Sequence, residues 1–588
     1  MDARTPARRL VALNLIIVAV TAILVVRLWQ LQVLQGGYYF RLSEENRVRE
    51  YTIPAPRGLI YDRRGKTLVD NRPSFTVAVL PLELRNPDVV LPQLAVIMAM
   101  PLADIEAKIA ANRDRPFEPV RIKRDVGTPL VTRIEENRLD LPGVIILAEP
   151  VRLYPLGPIA AHVLGYVGEI DQDELAAREG EGYRVGDLIG KAGVERIYES
   201  VLHGEDGRLS VEVDALGRPL RVLGRVPAVP GRTITLTLDL DLQVVATKAL
   251  VATGYKSGTV VVSEPESGEI LALASLPSYD PNLFAVGITP QAWAALTSDP
   301  LHPLLNRAVG AAYEPGSIFK LVTAVAALKE GIVARNSTFD APGYFQLGRW
   351  RFGDLKAWGR VDFVTGIANS VNVVFYTLGY RLGGERMAHY ATEMGLGERT
   401  GLDLPGEVIG TIATPETKQR LTGEPWYPGD SVNMSIGQGA VTVTPIQVVR
   451  MVGSIANGGA LLQPHVLMSA TERDGSTHKV LVTVQRTVPY GASTLSVVRE
   501  GMRAVVERGS GTAAALPHVA LAGKTGSAEN PRGKPHAWFA GYAPAQAPRV
   551  VVVAFVEHGY RGGLTAAPLV HQIFEAIFAD ETSQGRSP

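Results

Sequence analysis

Three short polar strings, far apart in a 588-residue chain, must meet in space before any of them can do chemistry, and this requirement constrains the fold more than any other feature. They are Ser317-Ile318-Phe319-Lys320, Ser370-Val371-Asn372 and Lys524-Thr525-Gly526, in the order S-x-x-K, S-x-N, K-T-G. Pro315-Gly316 suits a turn into a helix, on which Ser317 and Lys320 share one face. A serine hydroxyl becomes nucleophilic when a base takes its proton. Lys320 is that base only if its amine is uncharged, and burial or a second cation, with Lys524 the candidate, lowers a lysine pKa. The Ser370 hydroxyl can relay a proton between Lys320 and a leaving nitrogen, and the Asn372 amide can hold a substrate amide. Gly526 inside a strand marks a close approach. Such a strand can pair with an extended peptide, with Lys524, Thr525 and Ser527 offering a cation and two hydroxyls to a carboxylate. The backbone N–H groups of Ser317 and Ser527 are the expected oxyanion donors. Taken singly, S-x-x-K reads better as a capped helix start and S-x-N as a cap or loop turn, while K-T-G reads equally well as a sheet edge. Their order and context point to acyl transfer through Ser317.

The length implies two or more domains. A formal net charge of zero gives no support for nucleic acid as a partner. There is no cysteine, and the ten histidines lack HExxH spacing, so neither a metal nor a cofactor is expected. Leu10 to Val26 is apolar except for Asn14 and Thr21, and Leu28-Trp29 and Leu31 extend it to the length of one membrane-spanning helix. Arg4, Arg8 and Arg9 precede it, which puts the N-terminus in the cytoplasm and the remainder outside. A cleaved signal peptide is the competing reading, but Arg27, Trp29 and Gln30 follow the run where a small-x-small site would be needed.

The expected organisation is a tail at 1–9, a transmembrane helix at 10–34, a non-catalytic region at 35–230, a catalytic domain at 231–580 and a tail at 581–588. The non-catalytic region has short alternating runs such as 74–80 and charged helical stretches such as 101–113. The segment 224–231, rich in Pro and Gly, reads as a linker. Beyond it the pattern is mixed α/β. A helix is expected at 239–252, a hairpin at 259–274, a helix at 318–329, strands at 521–527, 537–542 and 549–556, and a helix at 568–578. Strands early and late with helices between fit one sheet covered by helices.

The chain resembles the class B penicillin-binding proteins over nearly its whole length. The likeness rests on Pro277-Ser-Tyr-Asp-Pro-Asn282, Ala312-Tyr-Glu-Pro-Gly-Ser-Ile-Phe-Lys320, Ser435-Ile-Gly-Gln-Gly439 with Val443-Thr-Pro445, and Gly523-Lys-Thr-Gly-Ser-Ala528. Upstream, Pro56-Arg-Gly-Leu-Ile-Tyr-Asp-Arg-Arg-Gly65 and Arg152-Leu-Tyr-Pro155 look like that family's pedestal strings. Gly190-Lys-Ala-Gly-Val-Glu195 with Tyr198-Glu199, and His536-Ala-Trp-Phe539, resemble its elongation-specific branch more than its division-specific one. Ser527 stands where threonine is more usual and keeps the hydroxyl. The resemblance implies an elongated α+β pedestal, a penicillin-binding domain with an antiparallel sheet, and D,D-transpeptidation of peptidoglycan stem peptides, inhibited by β-lactams. It also implies a SEDS-type glycosyltransferase of the RodA kind and a scaffold of the MreC kind as partners. A division-specific enzyme, a D,D-carboxypeptidase, a β-lactamase and a membrane-bound β-lactam sensor are the alternatives. No base for a deacylating water can be identified, and about nine residues precede the span, which argues against the last two.

Overall fold

The computed structural model describes residues 4–35, 37, 48–113, 118–213, 219–530 and 533–583. The tail 584–588, the start of the expected pedestal at 38–47 and the side chains of Arg4, Arg8 and Arg9 lie outside what is described. The apolar run forms helix α1 (Arg4–Trp29), continued by a π-type turn at Gln30–Leu34. Among the described residues, Val11–Leu34 is the single helix long and apolar enough to cross a membrane, with mean hydropathy 2.6. Its side chains stay exposed, the state in which an all-round apolar helix needs lipid or protein around it.

The rest of the chain divides into two compact units that are discontinuous in sequence. One gathers 74–150 and 204–230 with the described residues up to Pro56. In it Val48–Ile53, Gly207–Val213 and Pro219–Val226 make a three-stranded antiparallel sheet. Residues 75–79 pair with Val120–Val126, and helices Pro87–Met98, Leu102–Ala111 and Thr128–Glu136 cover that pair with a core of Val77, Leu94, Ile105, Ile122 and Ile134. The expected linker is more regular than its composition suggests. Gly224 to Val226 pair in the ladder with Ser210 to Arg208, and Val229 bridges Glu205. Strand pairing satisfies the backbone there, which overrides a Pro/Gly-rich local preference.

The second unit contains 57–73 and 151–203 as well as the described residues from Gly231 onward. Its centre is a five-stranded antiparallel sheet, β1 (Gly258–Ser263), β2 (Ile270–Leu276), β3 (Ala522–Asn530), β4 (Gly533–Ala543) and β5 (Val550–Val556), in the order β2-β1-β5-β4-β3. Every residue of β5 is buried, which is why this strand reads as an unbroken apolar run rather than an alternation. One face packs on α2 (Leu240–Ala252) and α8 (Ala566–Ser583) through Ala246, Leu250, Val552, Val570 and Phe574. The other packs on α3 (Lys320–Lys329), α6 (Pro445–Asn457) and α7 (Ala492–Arg508) through Val322, Val448, Val452, Val498, Val553 and Phe555. Asp239 caps α2 by accepting from Asp241 N and Leu242 N, and Thr444 and Gln447 form a reciprocal box at the start of α6. Helix α6 is buried on every side, and Gln447 within it donates to Glu398 O and Ile409 O.

The upstream strings converge inside this unit. Arg57 pairs with Glu195 and Glu199, each at 2.8 Å, Arg152 pairs with Glu195 at 2.7 Å, and Tyr154 donates to Glu195 at 3.3 Å. All five side chains are buried or nearly so. The ion cluster ties the segments around 57, 152 and 195 to one another.

Candidate active site

The chain enters the site through a single 3₁₀ turn, Gly316–Ile318, that leads into α3. In 3₁₀ geometry residues three apart eclipse, so the turn directs Ser317 to the same side of the chain as Lys320, the first residue of α3. Ser317 is partly exposed, whereas Lys320 is only 1% exposed. The turn is held from two sides. Gly316 N donates to Gly437 O at 3.1 Å, and a Cβ on Gly437, whose φ is 69°, would stand 2.2 Å from Gly316 O. On the other side a Cβ on Gly526 would lie 3.0 Å from both Pro315 O and Ile318 Cγ1. The glycines let a loop and a strand close on the nucleophile turn.

Lys320 Nζ lies 2.6 Å from Asn372 Oδ1, 2.8 Å from Ser370 O and 3.1 Å from Ser370 Oγ. Ser370 adopts φ 57°, the left-handed region, and in that conformation both its carbonyl and its hydroxyl reach the amine. Its loop is pinned by Val371 N donating to Gly366 O and Ser510 N donating to Ala368 O. Asn372 is the first residue of α5 (Asn372–Leu382), which follows α4 (Phe363–Ala368).

Burial lowers the Lys320 pKa to about 7, partly opposed by the Asp354 carboxylate. Lys524 is fully buried, and burial together with Lys320 holds its pKa well below the usual lysine value. Desolvation is the main cause of both depressions, and repulsion between the two neighbouring lysines adds to it. An uncharged amine has two N–H donors and one lone pair. The two carbonyl oxygens, Ser370 O and Asn372 Oδ1, can only accept, so in the uncharged amine they use both donors and the lone pair is directed to a hydroxyl, with Ser370 Oγ at 3.1 Å in reach.

Strand β3 is a sheet edge, paired only with β4. Lys524 donates to Thr525 O at 2.9 Å, the Thr525 hydroxyl is 2.6 Å from Ser510 Oγ, and the exposed Ser527 accepts from Gly562 N at 3.2 Å. Four groups around the site carry no motif signal. Asp354 accepts from Val373 N at 3.0 Å, Phe375 lies under Lys320 with 5.2 Å from Nζ to the ring centroid, Ser510 meets Thr525, and Trp538 donates to Glu314 O. Trp538 lies within the string 536–539, which carries no sign of this hydrogen bond. Among the described residues no group of His, Asp and Glu could hold a metal ion.

The sequence profile described as "Penicillin binding protein transpeptidase domain" matches residues 258–575, and that described as "Penicillin-binding Protein dimerisation domain" matches 52–236. The peptidoglycan D,D-transpeptidase MrdA of Acinetobacter baumannii is 35% identical over 591 residues, spanning 96% of this chain and 86% of that protein. The complex between penicillin-binding protein 2 and MreC from Helicobacter pylori matches with a TM-score of 0.78 at 27% identity, covering 91% of this chain and all of that one. A peptidoglycan synthase complex, described as showing structural coordination of polymerization and crosslinking, matches with a TM-score of 0.71 at 33% identity, covering 97% and 98%. With an SxxK serine, a buried lysine, an SxN loop and an edge strand bearing KTG assembled in one place, this chain belongs to the penicillin-binding protein transpeptidase family.

Proposed function

We propose that the chain is a peptidoglycan D,D-transpeptidase of the elongation type, and that β-lactams inhibit it by acylating Ser317. The observation that carries this reading is the buried Lys320 amine, one turn from Ser317, whose two donors are engaged by carbonyl oxygens. Ser317 Oγ attacks the penultimate D-alanine carbonyl and gives its proton to Lys320. The oxyanion rests on the Ser317 and Ser527 N–H groups. As the C–N bond breaks, the proton passes through Lys320 and Ser370 to the leaving D-alanine nitrogen. An amine from a neighbouring stem then attacks the ester, its proton returns by the same groups, and Ser317 regains its hydrogen. Asn372 orients the peptide amide, β3 pairs with the donor backbone, and Lys524, Thr525, Gly526 and Ser527 line the terminal carboxylate site, with Ser510 beside Thr525.

The helix at 10–34 is the anchor, with residues 1–9 in the cytoplasm and the pedestal at 35–230 and the transpeptidase domain at 231–580 outside. The pedestal segments 57–73 and 151–203 pack in one compact unit with the described residues from 231 onward. Partners of the RodA and MreC kinds are supported by the solved assemblies of similar proteins. Co-purification with the division glycosyltransferase instead of the elongation one would reassign the branch. Intact-mass analysis after fluorescent penicillin tests the chemistry. Wild type should carry one long-lived adduct, Ser317→Ala none, and Lys320→Ala none on the same timescale. An adduct on Ser317→Ala would refute the assignment of the nucleophile.

A further inference from the structure

Beside the SxN loop stands a small hairpin, Tyr344–Leu347 paired with Trp350–Gly353, that the catalytic steps above do not use. Residues 341–353 contain no acid. Its cations are exposed and, among the described residues, have no carboxylate partner. Arg351 lies over the Tyr344 ring at 3.4 Å from the centroid and Arg349 over Trp350 at 5.0 Å. Lys356, just beyond it, lies over Trp358 at 4.2 Å. Trp350 itself is 62% exposed. Strand alternation puts Trp350 on the face of Phe345 and Phe352 and Arg351 with Tyr344 on the opposite face, so the exposed ribbon carries aromatic rings and unpaired cations on both of its sides.

The hairpin is fixed to the catalytic machinery. Tyr376 on α5 donates to Gly353 O at 3.2 Å, Phe345 and Phe352 pack on Tyr376 with ring centroids 6.3 and 5.7 Å away, and Asp354 turns inward to Val373 N. On the KTG side, exposed Arg561 lies over Tyr560 at 5.2 Å, next to the Gly562 that donates to Ser527. Both margins of the site therefore carry the same pairing.

We propose that the 344–356 surface is a subsite for the glycan strand that carries the stem peptides. This rests on the transpeptidase reading. The apolar faces of pyranose rings stack on aromatic side chains as other C–H surfaces do, and arginine is suited to bidentate contact with carboxylates. A strand bearing a carboxylate-ended peptide on every second sugar presents both features at short intervals. Charge complementarity and adjacency to Asn372 select this occupant.

The test uses full-length protein in detergent with Trp350→Ala and Arg349→Glu/Arg351→Glu. Uncrosslinked glycan strands bearing pentapeptide stems should bind each variant about fivefold more weakly or worse, in line with loss of stacked and paired contacts. Penicillin acylation of Ser317 should keep its wild-type rate. Unchanged strand affinity overturns the subsite. So does an equal fall in penicillin acylation, which would make the hairpin a structural support. Loss of binding to anionic lipid vesicles with strand binding intact assigns the surface to the membrane and also overturns it. Absence of penicillin acylation in the wild type itself would refute the enzyme reading, which is a separate outcome.

Discussion

The proposed chemistry turns on Lys320. With its folded-state pKa near 7 against 10.5 for the free side chain, it loses its proton near neutral pH. Below about pH 7 it is an ammonium and accepts nothing, so the rate of penicillin acylation should fall about tenfold per pH unit on the acid side and level off above. Stopped-flow acylation across pH 5 to 9, rough bounds set by the stability of the fold, measures this. A flat profile would exclude Lys320 as the titrating base. The stability sign follows from the same shift. Between about 7 and 10.5 the unfolded chain binds the proton that the folded chain has released, so this group's contribution grows more favourable as pH rises through that window. Asp354 opposes the depression. Asp354→Asn removes the charge and keeps an oxygen to accept from Val373 N, so it should move the acid limb to lower pH and leave the alkaline plateau unchanged. Loss of the plateau would show that Asp354 acts only on the loop's structure.

Among the elements, the nucleophile turn is the least forgiving because two others close on its backbone. A Cβ on Gly437 meets Gly316 O at 2.2 Å, at a φ that disfavours any side chain. Gly437→Ala should cost about 1–3 kcal/mol of stability by overpacking. Displacing Ser317 from its attack position should slow acylation about 10- to 100-fold. Thermal melting with acylation kinetics separates the two effects, and a variant that acylates at the wild-type rate would show that the loop only covers the turn. The same elements show how far local pattern reaches. The α2 start at Leu240, the β1–β2 hairpin, β5 and α8 all lie within a few residues of where periodicity and turn residues put them, because each is set by its own alternation or cap. Within 224–231 the first three residues continue a strand paired with the preceding one, and the two units divide after Pro230.

At the scale of the molecule, the strings at 57, 152 and 195 turn out to serve the catalytic unit's interior. Removing Glu195 leaves the buried Arg57 guanidinium with Glu199 and takes the carboxylate from Arg152, which keeps Gly58 O and Asn71 Oδ1. Glu195→Ala should destabilise that unit by about 3–5 kcal/mol, the cost of an uncompensated buried charge. Calorimetry of the full chain should show its transition lowered, while penicillin acylation per folded molecule persists. An unchanged transition would mean that water or rearrangement compensates the charges.

Sequence alone determined the apolar span, the strand and helix succession and the chemical identity of the three strings, because hydrophobic periodicity, caps and functional-group inventory are written into neighbouring residues. Tertiary structure alone decided that Lys320 is dry, that Ser370 turns left-handed to meet it, that Asp354 and Ser510 stand beside the motifs, and that Arg57 finds Glu195. Each of those depends on groups distant in the chain sharing one low-dielectric place, and desolvation has no local signature.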